Sequence, residues 1–196
     1  MIKTILSFGI YSFVIVSAIV SCNTSSAEWK RESRAPDSAL RVKRGAYLVS
    51  IIGCDDCHSP KRMGPQGPEI IPELRLSGYP SARPIMKPDT MAVKNGWALF
   101  GPDLTSSVGP WGMSFSANLT SDESGIGNWS EENFLRAIRK GKFKGMENTR
   151  DLLPPMPWFV YRNMTDEDLK SIFAYLKTTK PVYNRVPAPK ALGDFK

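Results

Sequence analysis

Apolar positions recur at helical spacing in three stretches of the chain, and a long segment between the first and second shows no sustained period. Leu40, Tyr47, Leu48 and Ile51 fall at spacings that align them along one helix. Gly45 lies inside this run, where glycine costs about 1 kcal/mol relative to alanine, so the pattern predicts a helix that another element approaches closely there. In the second stretch Phe134, Leu135 and Ile138 make an apolar stripe behind Ser130, a good cap, and behind Glu131 and Glu132, which suit the positive end of a helix. Arg139, Lys140 and Gly141 supply the stop. The third stretch opens with Thr165-Asp166-Glu167-Asp168, a capping box, and carries Leu169, Ile172, Phe173 and Leu176 at i, i+3, i+4 and i+7 before Pro181. Its apolar face needs a partner, and the Gly45 helix is the natural one.

Between Pro60 and Asn128, proline and glycine are dense and neither period is sustained, which predicts a long loop region with short helical turns, for instance near Met91 to Leu99. Loops of this length in compact domains are usually functional or wrapped over something. With 196 residues, 41% of them hydrophobic, the chain suits one domain of ordinary size. Sixteen prolines and fifteen glycines make it loop-rich, while five tryptophans argue against a wholly disordered chain. The sequons at Asn118, Asn128 and Asn163 read better as turn and capping positions than as glycan sites.

Residues 1–21 stand apart. One lysine at position 3 precedes a short apolar run from Ile5 to Val20, and Ile19-Val20-Ser21-Cys22 follows. This resembles a bacterial lipoprotein signal, with cleavage before Cys22 and acylation of its thiol; the alternative is an uncleaved anchor, for which the run is shorter than the roughly 20 residues that span a bilayer. Residues 22–36 then read as a flexible tether, 37–181 as the folded domain and 182–196 as a C-terminal tail. The expected location is outside the cytoplasm, on a bacterial membrane and facing the periplasm.

Cys54-Asp55-Asp56-Cys57-His58 carries the chemistry. This C-x-x-C-H pentapeptide is the attachment signature of a c-type haem, and His58 is the single histidine of the sequence. Two thiols three positions apart can bond the two vinyl groups of one porphyrin, and the adjacent imidazole becomes the proximal iron ligand. A thioredoxin-like dithiol would follow a strand, whereas a helix is predicted before this motif. A structural zinc would need four Cys or His ligands, and one of the three cysteines is far away at position 22.

Iron that passes electrons without binding small molecules needs a sixth ligand, and methionine is the leading candidate. Beyond the initiator, the chain offers Met63, Met86, Met91, Met113, Met146, Met156 and Met164. Met156 sits in Pro154-Pro155-Met156-Pro157-Trp158, where flanking prolines restrict the backbone and hold one thioether in place at little entropic cost. Met164 is the second candidate, although its place beside the Thr165 cap suits a packing role.

The helix entering C-x-x-C-H, the P-P-M-P-W loop and the final amphipathic helix resemble the class I cytochrome c family. Ala117-Asn118-Leu119-Thr120, Gly125-Ile126-Gly127-Asn128-Trp129-Ser130 and Arg139-Lys140-Gly141-Lys142 are similar to stretches of the cytochrome subunits of periplasmic alcohol and sugar dehydrogenases. The resemblance covers roughly residues 40 to 180. It implies an all-α fold with crossed first and last helices, one covalent haem c on Cys54 and Cys57, and iron ligation by His58 and Met156. It also implies an electron carrier rather than an enzyme, working with a dehydrogenase subunit or a terminal oxidase. The alternative is a haem enzyme, a peroxidase or a sulfur-compound oxidising cytochrome, with an exchangeable distal ligand. The formal net charge of +7 fits steering towards an acidic redox partner or an anionic membrane, or simply a solvated face; nucleic acid is a poor partner for an exported protein.

Overall fold

Helix α1 (Ser38–Ile51) and helix α6 (Asp166–Leu176) lie against each other at Gly45. A Cβ built on Gly45 would stand 1.9 Å from the Ser171 carbonyl oxygen and 2.7 Å from Tyr175 Cβ, so only glycine lets the two backbones come this close. Leu48 and Val49 of α1 are buried in the same contact, as are Leu169, Ile172, Phe173 and Leu176 of α6. Arg41 to Glu167 (3.3 Å) and Arg44 to Asp168 (2.9 Å) bridge the two helices at its edge. The stripe expected on α1 is corrected here. Leu40, Tyr47 and Ile51 are 61%, 56% and 57% exposed, because the close approach selects the small Gly45 face and turns the bulkier residues outwards. These elements belong to a computed structural model that describes residues 38–195. The expectations for the 1–21 signal, Cys22 and the 22–36 tether lie outside the described residues.

Helix α4 (Glu131–Lys140) closes the same core. Ser130 accepts a hydrogen bond from Asn133 N at 3.1 Å, Phe134 and Ile138 are buried with Ala137, and Gly141 ends the helix in the left-handed region at φ 64°. Phe134 and Phe173 meet with ring centroids 5.4 Å apart. Thr165 caps α6 by accepting from Asp168 N at 3.1 Å. Two further helices are short: α2 (Cys54–His58) and α5 (Trp158–Tyr161).

The all-α expectation is overturned by two small antiparallel sheets. β1 (Lys61–Gly64) pairs with β2 (Gly67–Ile70), while β3 (Leu99–Phe100), β4 (Ser106–Gly109) and β5 (Gly112–Phe115) form a second sheet in the order β3-β4-β5. Helix α3 (Thr90–Lys94), capped by Asp89, supplies the helical turn expected near Met91, but it stops short of Leu99, which enters β3. The strands escaped the sequence pattern for a physical reason: they are two to four residues long, and β4 is buried at every position, so no alternation of polar and apolar residues develops. A small second core of Val93, Val108 and Met113 lies under this sheet, with Leu192 and Phe195 packed against it. The segment after Pro181 joins that structure: Met113 and Lys190 exchange main-chain hydrogen bonds of 2.8 and 3.0 Å.

Candidate functional site

The motif cysteines begin helix α2 directly after Gly53, whose φ of 78° turns the chain out of α1. Asp55, one of the two variable positions of the motif, anchors this short helix. Its carboxylate accepts from Arg75 Nε at 3.0 Å and from the same guanidinium at 2.6 Å, and Arg75 donates onward to the Tyr175 hydroxyl of α6 at 2.6 Å. Ser59 Oγ also donates to Asp55 at 2.6 Å and accepts from Leu76 N at 2.9 Å. A helix of five residues has too few internal bonds to hold itself, and these side chains supply what it lacks.

His58 Nδ1 stands 2.7 Å from the carbonyl oxygen of Ala117. A carbonyl can only accept, so Nδ1 carries the hydrogen and the lone pair lies on Nε2. Ala117 is held in turn by its neighbour. Asn118 is buried, its Oδ1 accepts from Thr120 N and Oγ1 at 2.9 and 2.8 Å, and its Nδ2 donates to Val182 O at 2.8 Å. Burial of the ring pushes the His58 pKa down, opposed by the Ala117 bond and the Asp55 charge, with Lys61 adding to the fall. A neutral imidazole with one free nitrogen is the form that ligates a metal.

Both thiols are unpaired. Burial pushes the Cys54 pKa up to about 12, with the charges of Asp55, Cys57 and Asp56 adding to it. Cys57 is raised as well, by burial and then by Asp56, against an opposing effect of Lys61. A reactive redox dithiol depends on a lowered pKa, so this environment runs against thioredoxin-like chemistry.

Met156 lies in the loop between α4 and α5 and packs, partly buried, against the same helical core as Cys54. Its loop is fixed at both ends. Leu152 N donates to Gly141 O at 2.6 Å, Ser114 Oγ donates to Pro154 O at 2.7 Å, and Trp158 N donates to Met156 O at 2.9 Å. Tyr161, at the end of α5, donates its hydroxyl to Ile52 O at 2.6 Å and so ties the loop's helix to the turn before Cys54. Met164 also packs against this core, so burial does not separate the two candidates. Main-chain bonding does not separate them either: Met164 N donates to Tyr161 O at 3.0 Å and Met156 N to Leu153 O at 3.3 Å. The Ala117 carbonyl, Arg75 and Tyr161 were not singled out from the sequence. A main-chain acceptor leaves no side-chain signature, and the other two act from 20 and 109 residues beyond the residues they bind, Asp55 and Ile52.

The chain is 31% identical over 165 residues to the fructose dehydrogenase cytochrome subunit of Gluconobacter japonicus, covering 82% of this chain and 26% of that protein. It is 32% identical over 135 residues to the gluconate 2-dehydrogenase cytochrome c subunit of Pantoea cypripedii, covering 68% and 22%. The chain is similar to cytochrome c subunits of dehydrogenases. A nicotinate dehydrogenase subunit of Pseudomonas putida is 40% identical over 87 residues, 44% of this chain and 7% of that protein. The chain thus spans about a quarter of the length of the two cytochrome subunits. No family model matches it.

Similarity to cytochrome c subunits implies covalently bound haem c. The donor set fits such a group: two protonated, unpaired thiols at the required spacing, an imidazole with its Nε2 free, and a thioether held in the same core as Cys54. Bound there, a haem would supply an iron that alternates between ferric and ferrous states. The protein's own part would be to orient the imidazole through Ala117 and to brace the motif through Asp55 and Arg75.

Proposed function

We propose that this chain carries single electrons as a c-type cytochrome with one haem, bonded through Cys54 and Cys57 and ligated by His58 and Met156. The reading is supported chiefly by the 2.7 Å bond from His58 Nδ1 to Ala117 O, which fixes the tautomer a haem ligand needs. A thioether as second ligand favours the ferrous state and raises the reduction potential. Its partners are redox proteins, among them a dehydrogenase subunit, by analogy with the relatives named above, or a terminal oxidase. Acylation at Cys22 would hold the domain at a membrane facing the periplasm, and a positive net charge would steer acidic partners to it.

Denaturing electrophoresis followed by a haem stain tests the attachment: the band stains in the wild type and loses its stain when Cys54 and Cys57 are both replaced by alanine. Met156→Ala should keep the covalent haem, lose the methionine-to-iron charge-transfer band and lower the potential. Met164→Ala should keep that band. The reverse result would reassign the sixth ligand to Met164.

A further inference from the structure

The end of α2 holds an ammonium group among main-chain oxygens. Lys61 Nζ lies 2.7 Å from Asp56 O, 2.8 Å from Ser59 O, 3.2 Å from Asp55 O and 3.2 Å from Asp103 O. Three of these carbonyls belong to α2 or the residue after it, where a helix leaves acceptors unsatisfied and its dipole favours a cation. The fourth comes from the loop before β4, whose Asp103 carboxylate is itself buried and paired with Arg83 at 2.7 Å. Three ammonium hydrogens shared among four oxygens fix the charge in place, unlike an ordinary surface lysine. That charge sits against the motif: the two oxygens nearest to it belong to Asp56 and Ser59, the residues on either side of Cys57 and His58.

We infer that Lys61 is a positioning residue for the haem motif, its caged ammonium closing α2 and setting a fixed positive charge beside the iron site that favours the ferrous state. The inference rests on the haem reading above. A cation near the iron destabilises the ferric form, which carries one more positive charge, and in partly buried surroundings this effect is screened far less than at the surface. Neighbouring Arg62 provides the contrast. Its side chain is 66% exposed and stands 3.9 Å from Glu69.

The test uses the full-length chain matured with haem, comparing Lys61→Gln, Lys61→Arg and Arg62→Met with wild type in midpoint potential, haem loading and thermal midpoint. Lys61→Gln should lower the potential by clearly more than Arg62→Met does. Lys61→Arg should keep the potential near wild type but lower the thermal midpoint, because a planar guanidinium does not fit four converging carbonyls. If Lys61→Gln loses haem and Lys61→Arg regains it, the assignment is equally supported. A potential unchanged in Lys61→Gln, a shift no larger than that of Arg62→Met, or a loading defect that Lys61→Arg does not repair would overturn it. Absence of covalent haem in the wild type would instead remove the haem reading on which it stands.

Discussion

Where α1, α4 and α6 meet, the buried side chains are apolar: Leu48, Val49, Phe134, Ile138, Leu169, Ile172, Phe173 and Leu176. Between Ser59 and Thr120 the buried positions include Ser77, Asp103, Thr105, Ser106, Ser107, Ser114 and Asn118. The first region is held mainly by removal of apolar surface from water, which is non-directional but demands close packing. The second depends on hydrogen bonds whose partners must all be present, because an unsatisfied buried polar group costs about 1–3 kcal/mol. The two meet at the motif. α2 is braced from the helical side by Tyr175 through Arg75, and from the polar side by Ser59 and by the Ala117 carbonyl. A site fixed from both directions can hold a ligand geometry that neither region would hold alone.

The comparison is broken most severely at Gly45. Gly45→Ala places a methyl group against the Ser171 carbonyl at 1.9 Å, where the nearest atoms are backbone and cannot swing away. The expected cost is about 3 kcal/mol, the upper end for overpacking, despite a gain of about 1 kcal/mol in helix propensity. Denaturant unfolding measures it. A loss below about 1 kcal/mol would mean that the helices separate easily and that the apolar region is softer than its packing implies.

Asn184 tests the polar region. Its side chain donates to Ser77 O at 2.7 Å and Tyr79 O at 2.9 Å, and accepts from Ser81 N at 2.9 Å. Asn184→Ala leaves these groups without that partner, at an expected cost of about 2 kcal/mol. The damage should stay local, so limited proteolysis is expected to cut within 77–120 before it cuts the helices.

How much of this was legible in the sequence follows the same division. α4 and α6 each run for about three turns, long enough for Phe134 and Ile138, or Leu169 to Leu176, to repeat and declare a face. Their caps at Ser130 and Thr165 are side-chain signals and could be read directly. β4 reads Ser-Ser-Val-Gly, and nothing in four residues buried on both faces announces a strand. In the proposed haem motif, Cys54, Cys57 and His58 stand out in the sequence because the proposed chemistry requires fixed local spacing. Ala117 contributes only a carbonyl, and Lys61 acts through main-chain oxygens, so both required coordinates to be seen.

Acid should sharpen the contrast. Burial alone would raise the Asp103 pKa, but the hydrogen bonds from Thr105 and Arg83 outweigh it, so the folded value lies below the ordinary one. A depressed carboxylate pKa contributes stability that is present above the unfolded value near 4 and is lost as pH falls through the folded value. Asp103→Asn should therefore lower the thermal midpoint at pH 7 and show a shallower decline than wild type as pH drops below about 4. Parallel curves for the two proteins would show that other carboxylates govern acid unfolding.

The smallest effect is expected on the open side of α1. Leu40 and Tyr47 match the helical period as well as Leu48 does, yet they are 61% and 56% exposed, whereas Leu48 is 5% exposed. Tyr47 lies with its ring 5.9 Å from the Arg44 guanidinium, a contact worth little at an exposed site. Leu40→Ser should consequently change stability by no more than about 0.5 kcal/mol, and Tyr47→Ser by about the same, while Leu48→Ala should cost 2 kcal/mol or more on the scale of buried leucine truncations, about 2–5 kcal/mol. The three variants share one helix, and serine is a poorer helix former than alanine, so a smaller loss at Leu40 and Tyr47 than at Leu48 reflects burial. A loss at Leu40 or Tyr47 comparable to that at Leu48 would restore the face read from periodicity and would show that α1 is rotated in solution relative to α6.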